Sequence, residues 1–152
     1  EALGISRAMA ETGLPYLVSF TIQDDGKLIG GTTIADAIDA IDAAVTAAPV
    51  FYMANCVHPA IVREALSRPF NRTSAVRTRF RGLQANTSAL PYSVLDASPV
   101  LYSSPPEELA QGMLRLKQDF GLTLFGGCCG TDHTHMEAMA AALTGAAGPA
   151  LR

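Results

Sequence analysis

The cysteines of this chain are Cys56, in the segment ANCVHP, and the adjacent pair Cys128 and Cys129, in GGCCG. A thiol can be a nucleophile, a soft metal ligand or half of a disulfide, and spacing decides among these. A bridge between neighbours such as Cys128 and Cys129 closes a strained ring outside ordinary disulfide geometry. An odd count, with two of the three adjacent, also argues against a secreted disulfide framework. The pattern favours a metal held by thiolates. Three sulfur donors leave one position of a tetrahedral zinc ion open, as in catalytic sites; structural sites normally close with a fourth Cys or His.

His58, two residues past Cys56 and directly before Pro59, is the nearest residue that could close the set, but a helix start there suits packing or exposure better. His133 and His135, two apart on a helix, point to different faces and are not favoured as ligands. Three thiolates outweigh the charge of the dication, so the centre is a poor electrophile for hydrolysis. It suits a substrate thiol, which coordination deprotonates while the electron-rich sulfur set keeps it nucleophilic. The natural reaction is alkyl transfer from an activated donor. Gly126, Gly127 and Gly130 are expected to permit the backbone angles that aim two consecutive side chains at one metal.

The elements that must position these thiols alternate along the whole chain. Residues 2–12 read as a helix stopped by Gly13, Tyr16 to Ile22 as a strand rich in β-formers, and Asp24-Asp25-Gly26 as a turn. Ile34, Ile38, Ile41 and Val45 form one helical stripe, with Asp36, Asp39 and Asp42 off it on a solvated face. Val50 to Ala54 predicts a strand ending at Asn55-Cys56, followed by a short helix from Pro59 to Ser67. A third strand is placed around Gly82 to Ala85, before the polar loop Asn86-Thr87-Ser88.

Ser104-Pro105-Pro106-Glu107 combines an N-cap, a first-turn proline and a capping-box glutamate. Leu109, Met113, Leu116 and Phe120 supply the stripe of that helix and Gly121 its stop. A strand from Leu122 to Phe125 leads into the double cysteine. A last helix from Asp132 is expected to turn Met136, Met139, Ala140 and Leu143 inward. Such αβ alternation favours parallel strands covered by helices. Cys56 and Cys128 lie two βα units apart, so they end the first and third of three successive strands at the carboxyl edge. A curved barrel wall tips such ends toward one mouth, whereas a flat doubly wound sheet need not.

The pair Asn55-Cys56 after one strand, and GGCCG from Gly126 to Gly130 after a later one, resembles the zinc-dependent homocysteine S-methyltransferase family. The likeness extends over essentially the whole chain: LPYLVSF resembles the family's fifth barrel strand, DDGKLIGGTTIADAIDAI its following loop and helix, and ANTSALPY the loop after the seventh strand. The resemblance implies a (β/α)8 TIM-type barrel of which this chain, residues 1–152, supplies the last four βα units as one C-terminal half-domain. It implies zinc on Cys56, Cys128 and Cys129, with homocysteine sulfur as the fourth ligand. The product would be methionine and the donor S-methylmethionine or S-adenosylmethionine. It places Asn55, Asn86, Gly126 and Gly127 around the substrate. The loop after Asn86 lacks an acidic residue often found in relatives, and the first four strands, with an acidic residue on the fourth, are absent. The expected partners are therefore homocysteine, a small methyl donor, and a missing N-terminal half or a second copy.

Composition narrows the alternatives. The chain has 152 residues and a net charge of -3, with 49% hydrophobic and 16% charged residues, which is the profile of a globular domain rather than a disordered one. Arg77, Arg79 and Arg81 lack interleaved aromatics, so they read as a solvated edge and no nucleic-acid partner is expected. No apolar run reaches the roughly 18 residues of a spanning helix and no signal-peptide pattern opens the chain, so no membrane is expected and a cytoplasmic setting is the default. The chain begins with Glu1 within a helical pattern, which suggests a fragment or a processed piece. Three competing readings remain: a zinc-storing or structural module closed by His58 or a partner, a redox pair at Cys128 and Cys129 that lacks the usual two-residue spacer, and three small buried hydrophobes. Gly30-Gly31-Thr32-Thr33 is as well explained by a turn and cap as by an anion site.

Overall fold

The computed structural model describes residues 1–90, 94–95 and 98–145. Helix α1 (Ala2–Glu11) is followed by Gly13, whose φ of 71° needs a residue without a Cβ. Strand β1 is only Val18–Phe20, shorter than its β-forming sequence suggests. Its ladder runs along β2 (Tyr52–Val57) from Val18↔Tyr52 to Phe20↔Ala54, and Ile22 then turns away to bridge Leu28 across the Asp24–Gly26 turn.

Helix α2 (Ile34–Ala44) buries Ile34, Ile38 and Ile41 and is capped by Thr33, whose Oγ1 accepts from the Asp36 amide at 3.0 Å. Asp42 departs from the expected solvated face. Its carboxylate accepts from the Tyr52 hydroxyl at 2.7 Å and from two Arg79 nitrogens at 3.0 Å each. Arg79 lies over the Tyr52 ring, 5.4 Å from its centroid, and donates to the Pro49 carbonyl at 2.7 Å. It is therefore a tether at the foot of the sheet, and the solvated reading of this arginine is corrected. Helical periodicity shows which face an aspartate occupies, but not that a tyrosine and an arginine from later elements reach it.

Helix α3 (Pro59–Ser67) leads to a 3-10 turn (Pro69–Asn71) and then to α4 (Ser74–Arg79), which the apolar pattern does not announce. Thr73 caps α4, and strand β3 (Phe80–Ala85) continues from it without a gap. Helix α5 (Pro106–Phe120) ends on Gly121 at φ 69°, as expected, and buries Leu109, Met113 and Leu116. The expected cap differs: Pro105 holds the N-cap position with no side-chain bond, and the Ser104 hydroxyl donates instead to the Thr87 carbonyl at 2.6 Å. Strand β4 (Leu124–Gly127) starts later than expected, and α6 (His133–Thr144) closes the described chain. Met139 is buried in α6 whereas Met136 is exposed, because His135 occupies the inward position beside it.

All strand pairs are parallel and the sheet order is β1-β2-β3-β4. Each crossover thus moves one strand in the same direction, the winding of a (β/α) barrel, whereas a doubly wound sheet reverses its order at a switch point. The core lies between the sheet and its helices, with Phe20 and Tyr52 stacked at 5.6 Å beside Ile38, Leu83, Leu109 and Met113. Among the described residues no helix is long and apolar enough to cross a membrane.

Candidate metal centre

Cys56 is carried by β2 itself rather than by a loop after it, because the strand runs on to Val57. The ladder to β3 pairs Asn55 with Gln84 and Val57 with Ala85, so Cys56 is an extra residue in a bulge. Its φ is 52°, the positive value found at no other non-glycine residue among those described. A left-handed residue with a Cβ costs about 1–2 kcal/mol, and here it turns the thiol out of the strand's alternation.

Cys128 follows β4, and its amide donates to the Ala85 carbonyl at 2.8 Å, extending the ladder by one step. Cys129 then breaks from the sheet, and its carbonyl accepts from the Thr87 amide at 3.2 Å. The glycines act differently from expectation. Gly126 and Gly127 are ordinary strand residues paired with Gln84 and Ala85, and of the three only Gly130 has positive φ, at 80°. Gly127 is needed for space: an added Cβ would meet the Thr131 hydroxyl and come within 2.7 Å of Thr131 Cβ. Thr131 folds there because its hydroxyl donates to the Cys128 carbonyl at 2.7 Å. At Gly130 a Cβ would strike the Thr87 hydroxyl and lie 2.8 Å from the Tyr102 carbonyl.

These turns bring the three sulfurs of Cys56, Cys128 and Cys129 within 4.8 Å of one another. Cys129 Sγ is 3.8 Å from Cys56 Sγ and 3.9 Å from Cys128 Sγ. Cys56 and Cys128 form a disulfide, with Cα atoms 5.6 Å apart. This bond joins two strand ends where the sequence favoured a metal over any disulfide, and spacing along the chain does not disclose it. Cys56 and Cys128 are half-buried and Cys129 is exposed. Among the described residues no histidine or carboxylate joins the cluster.

His58 is buried as the N-cap of α3, with Nδ1 accepting from the Ala60 amide at 3.2 Å. Burial lowers its pKa, with Glu108 opposing. His133 heads α6, while His135 is buried with both ring nitrogens bonded, to Asp132 and to the Ser104 carbonyl.

A cavity of about 490 Å³ opens over Cys56 and Cys129, walled by Asn86, Leu95, Pro99, Leu101 and Tyr102. Its size suits a small metabolite. Asn86 borders it, with its side-chain Oδ1 accepting from the Ser88 amide at 2.9 Å. Asn55 accepts from the Ser19 hydroxyl at 2.6 Å and, like Gly126 and Gly127, does not line this cavity. The end of the ANTSALPY segment, Pro91 and Tyr92, lies outside the described residues. Sequence reasoning missed the strap Tyr102–Ser104, which lies against Gly130 and Thr87. The serines carry no periodic signal, and only their contacts reveal them.

The family described as homocysteine S-methyltransferase matches residues 1–143. A methionine synthase from Mycobacterium leprae (strain TN) is 31% identical over 143 residues, covering 93% of this chain and 11% of that protein. A methionine synthase from Mycobacterium tuberculosis (strain ATCC 25618 / H37Rv) is 29% identical over 149 residues, with the same shares. The chain thus spans about a tenth of the length of these relatives.

Proposed function

Because this chain belongs to the homocysteine S-methyltransferase family, we propose that Cys56, Cys128 and Cys129 hold a zinc ion. We further propose that the site transfers a methyl group to homocysteine, giving methionine. The observation that carries this reading is the separation of sulfurs brought in from two different strands. Tetrahedral zinc with bonds of about 2.3 Å sets neighbouring sulfur ligands about 3.8 Å apart, and Cys129 lies 3.8 and 3.9 Å from its two partners. Reduction of the Cys56 and Cys128 pair frees those sulfurs to bind, so the reading requires a reducing compartment.

Bound zinc would keep the homocysteine sulfur as a thiolate at neutral pH, the form able to attack an alkyl donor. The chain's own residues supply position and shape. The bulge aims Cys56, Thr131 and Thr87 hold the cysteine turn, and Leu95, Leu101 and Tyr102 present an apolar wall beside Asn86. S-methylmethionine or S-adenosylmethionine is the favoured donor. The new sulfur–carbon bond forms as the donor's sulfonium–carbon bond breaks, its electron pair returning to the donor sulfur as a neutral thioether. The thiol proton leaves to solvent. Among the described residues the cluster consists of the three thiols.

We also propose that residues 1–152 are the C-terminal half of a complete barrel. The outer edges of β1 and β4 have no strand partner among the described residues. Leu17 and Leu124 beside them are 47% and 41% exposed. An N-terminal half from the same gene, a partner chain or a second copy would cover them. The decisive experiment loads reduced protein with zinc, adds homocysteine, and measures both sulfur coordination and methionine formation with a panel of donors. It is run on this chain and on a version extended upstream. A gained sulfur ligand and methionine from the extended protein are expected. Failure of both, with zinc fully loaded, removes the assignment.

A further inference from the structure

His135 is 4% exposed, and neither the cluster nor the chemistry above uses it. Its Nε2 is 2.9 Å from the Ser104 carbonyl and its Nδ1 2.8 Å from Asp132 Oδ1. A carbonyl oxygen only accepts, so Nε2 carries a proton and donates to Ser104. Burial works against a charged ring, but the Ser104 carbonyl and the Asp132 carboxylate outweigh it and raise the pKa above the usual histidine value. Capping alone does not need this second bond. Asp132 already accepts from the Thr134 amide at 3.0 Å, the Thr134 hydroxyl at 2.6 Å and the His135 amide at 3.3 Å.

The Nε2 bond leaves the helix and reaches the strap that lies on the cysteine turn. There the Ser104 hydroxyl donates to the Thr87 carbonyl at 2.6 Å, and the Ser103 hydroxyl to the Gly130 carbonyl at 3.1 Å. The Thr87 hydroxyl donates to the Tyr102 carbonyl at 3.0 Å, and the Thr87 amide to the Cys129 carbonyl at 3.2 Å. The bonds close a ring: Cys129 to Thr87, Thr87 to Ser104, Ser104 to His135, His135 to Asp132, and back along three residues of chain to Cys129. The strap has no slack, since Gly130 has no room for a Cβ against Thr87 and Tyr102.

We propose that His135 is a positioning residue that fixes Cys128 and Cys129 as sulfur donors, by clamping the start of α6 to the strap across the mouth. The inference rests on the reading that the three cysteines hold a metal. Groups that orient metal ligands from outside the coordination sphere typically matter about 10–100-fold in metal affinity.

The test measures zinc affinity by chelator competition on the reduced protein carrying its complete gene-encoded sequence. Helix content and unfolding midpoint are followed alongside. Three variants are compared: His135→Ala, His135→Gln and His135→Glu. Gln and Glu at this third helical position can both reach back to the cap amide, so both preserve the capping box. Only Gln can also donate to the Ser104 carbonyl. A glutamate's added negative charge would by itself favour a cation.

The expected result is zinc affinity lowered about 10–100-fold in the Ala and Glu variants, and largely restored in the Gln variant, with helix content kept in Gln and Glu. Affinity within about twofold of the parent in all three, or equal loss in Gln and Glu, overturns the proposal and leaves the metal site standing. A parent that binds no zinc when reduced overturns the metal reading, and this inference with it.

Discussion

At the residue scale the most informative atom group is the backbone of Cys56. A thiol at the end of a strand was legible from the sequence, but its left-handed φ of 52° was not, because nothing in ANCVHP resembles a glycine-bearing turn. The conformation arises from a mismatch between two strands, in which β2 carries one residue more than β3 between Asn55 and Val57. Cys56→Gly separates the two roles of this position. In the reduced, metal-free protein its unfolding free energy should be unchanged or higher by about 1 kcal/mol, while stoichiometric zinc is lost. A large drop in stability would show that the backbone is not strained there.

Gly130→Ala should lower stability as well as zinc binding. Its φ of 80° and the contact with Thr87 and Tyr102 predict a loss of about 1–3 kcal/mol in denaturant titration, together with weakened zinc binding. His135 adds a pH dependence. Its folded pKa is raised, so its contribution is complete below the unfolded value of about 6.5 and declines as pH rises through the folded value. The charged groups facing it are Asp132 at its own helix cap and Glu107 on α5. The stability gap between parent and His135→Gln should therefore narrow on going from mildly acidic to mildly alkaline buffer, and a gap that widens would contradict the sign.

At the element scale, what the apolar periodicity announced was found: α1, α2, α3 and α5, the parallel strands, and the left-handed stops at Gly13 and Gly121. What it did not announce is held by polar side chains that reach between elements. Asn71, 1% exposed, accepts from the Ile34 and Ala35 amides at 3.0 and 3.4 Å, and donates to the Gly26 and Ala65 carbonyls at 2.9 Å each. It joins the β1 turn, α2 and α3 from a 3-10 turn that reads as loop. Asn71→Ala leaves buried donors and acceptors unpaired, each worth about 1–3 kcal/mol, so a total near 3 kcal/mol is expected from urea unfolding. A loss under about 1 kcal/mol would mean that water replaces the amide. The Asp42, Tyr52 and Arg79 tether is of the same kind, which is why a stripe-based reading misplaced two of its three members.

At the scale of the whole molecule, four strands wound in one direction leave two edges and an open mouth. Between α1, β1 and α2 a cavity of about 590 Å³ is lined by Ile5, Leu28 and Ile29, where the preceding strand of a barrel would pack. Residues 1–152 by themselves should bind an apolar dye and self-associate in sedimentation, and a version extended upstream should do neither. A dye-silent, stable monomer of the short chain would contradict the half-barrel. The sequence by itself determined the family, the order of helices and strands apart from α4 and the 3-10 turn, and the meeting of Cys56 with Cys128 and Cys129. Those depend on local periodicity and on which end of a parallel strand each thiol follows. Only the tertiary structure decided which sulfurs touch, that Cys56 sits in a bulge, and that Ser104 bonds both Thr87 and His135 beside the cysteine turn. Each of these is set by strand register and by contacts between residues far apart in the chain, which no local pattern encodes.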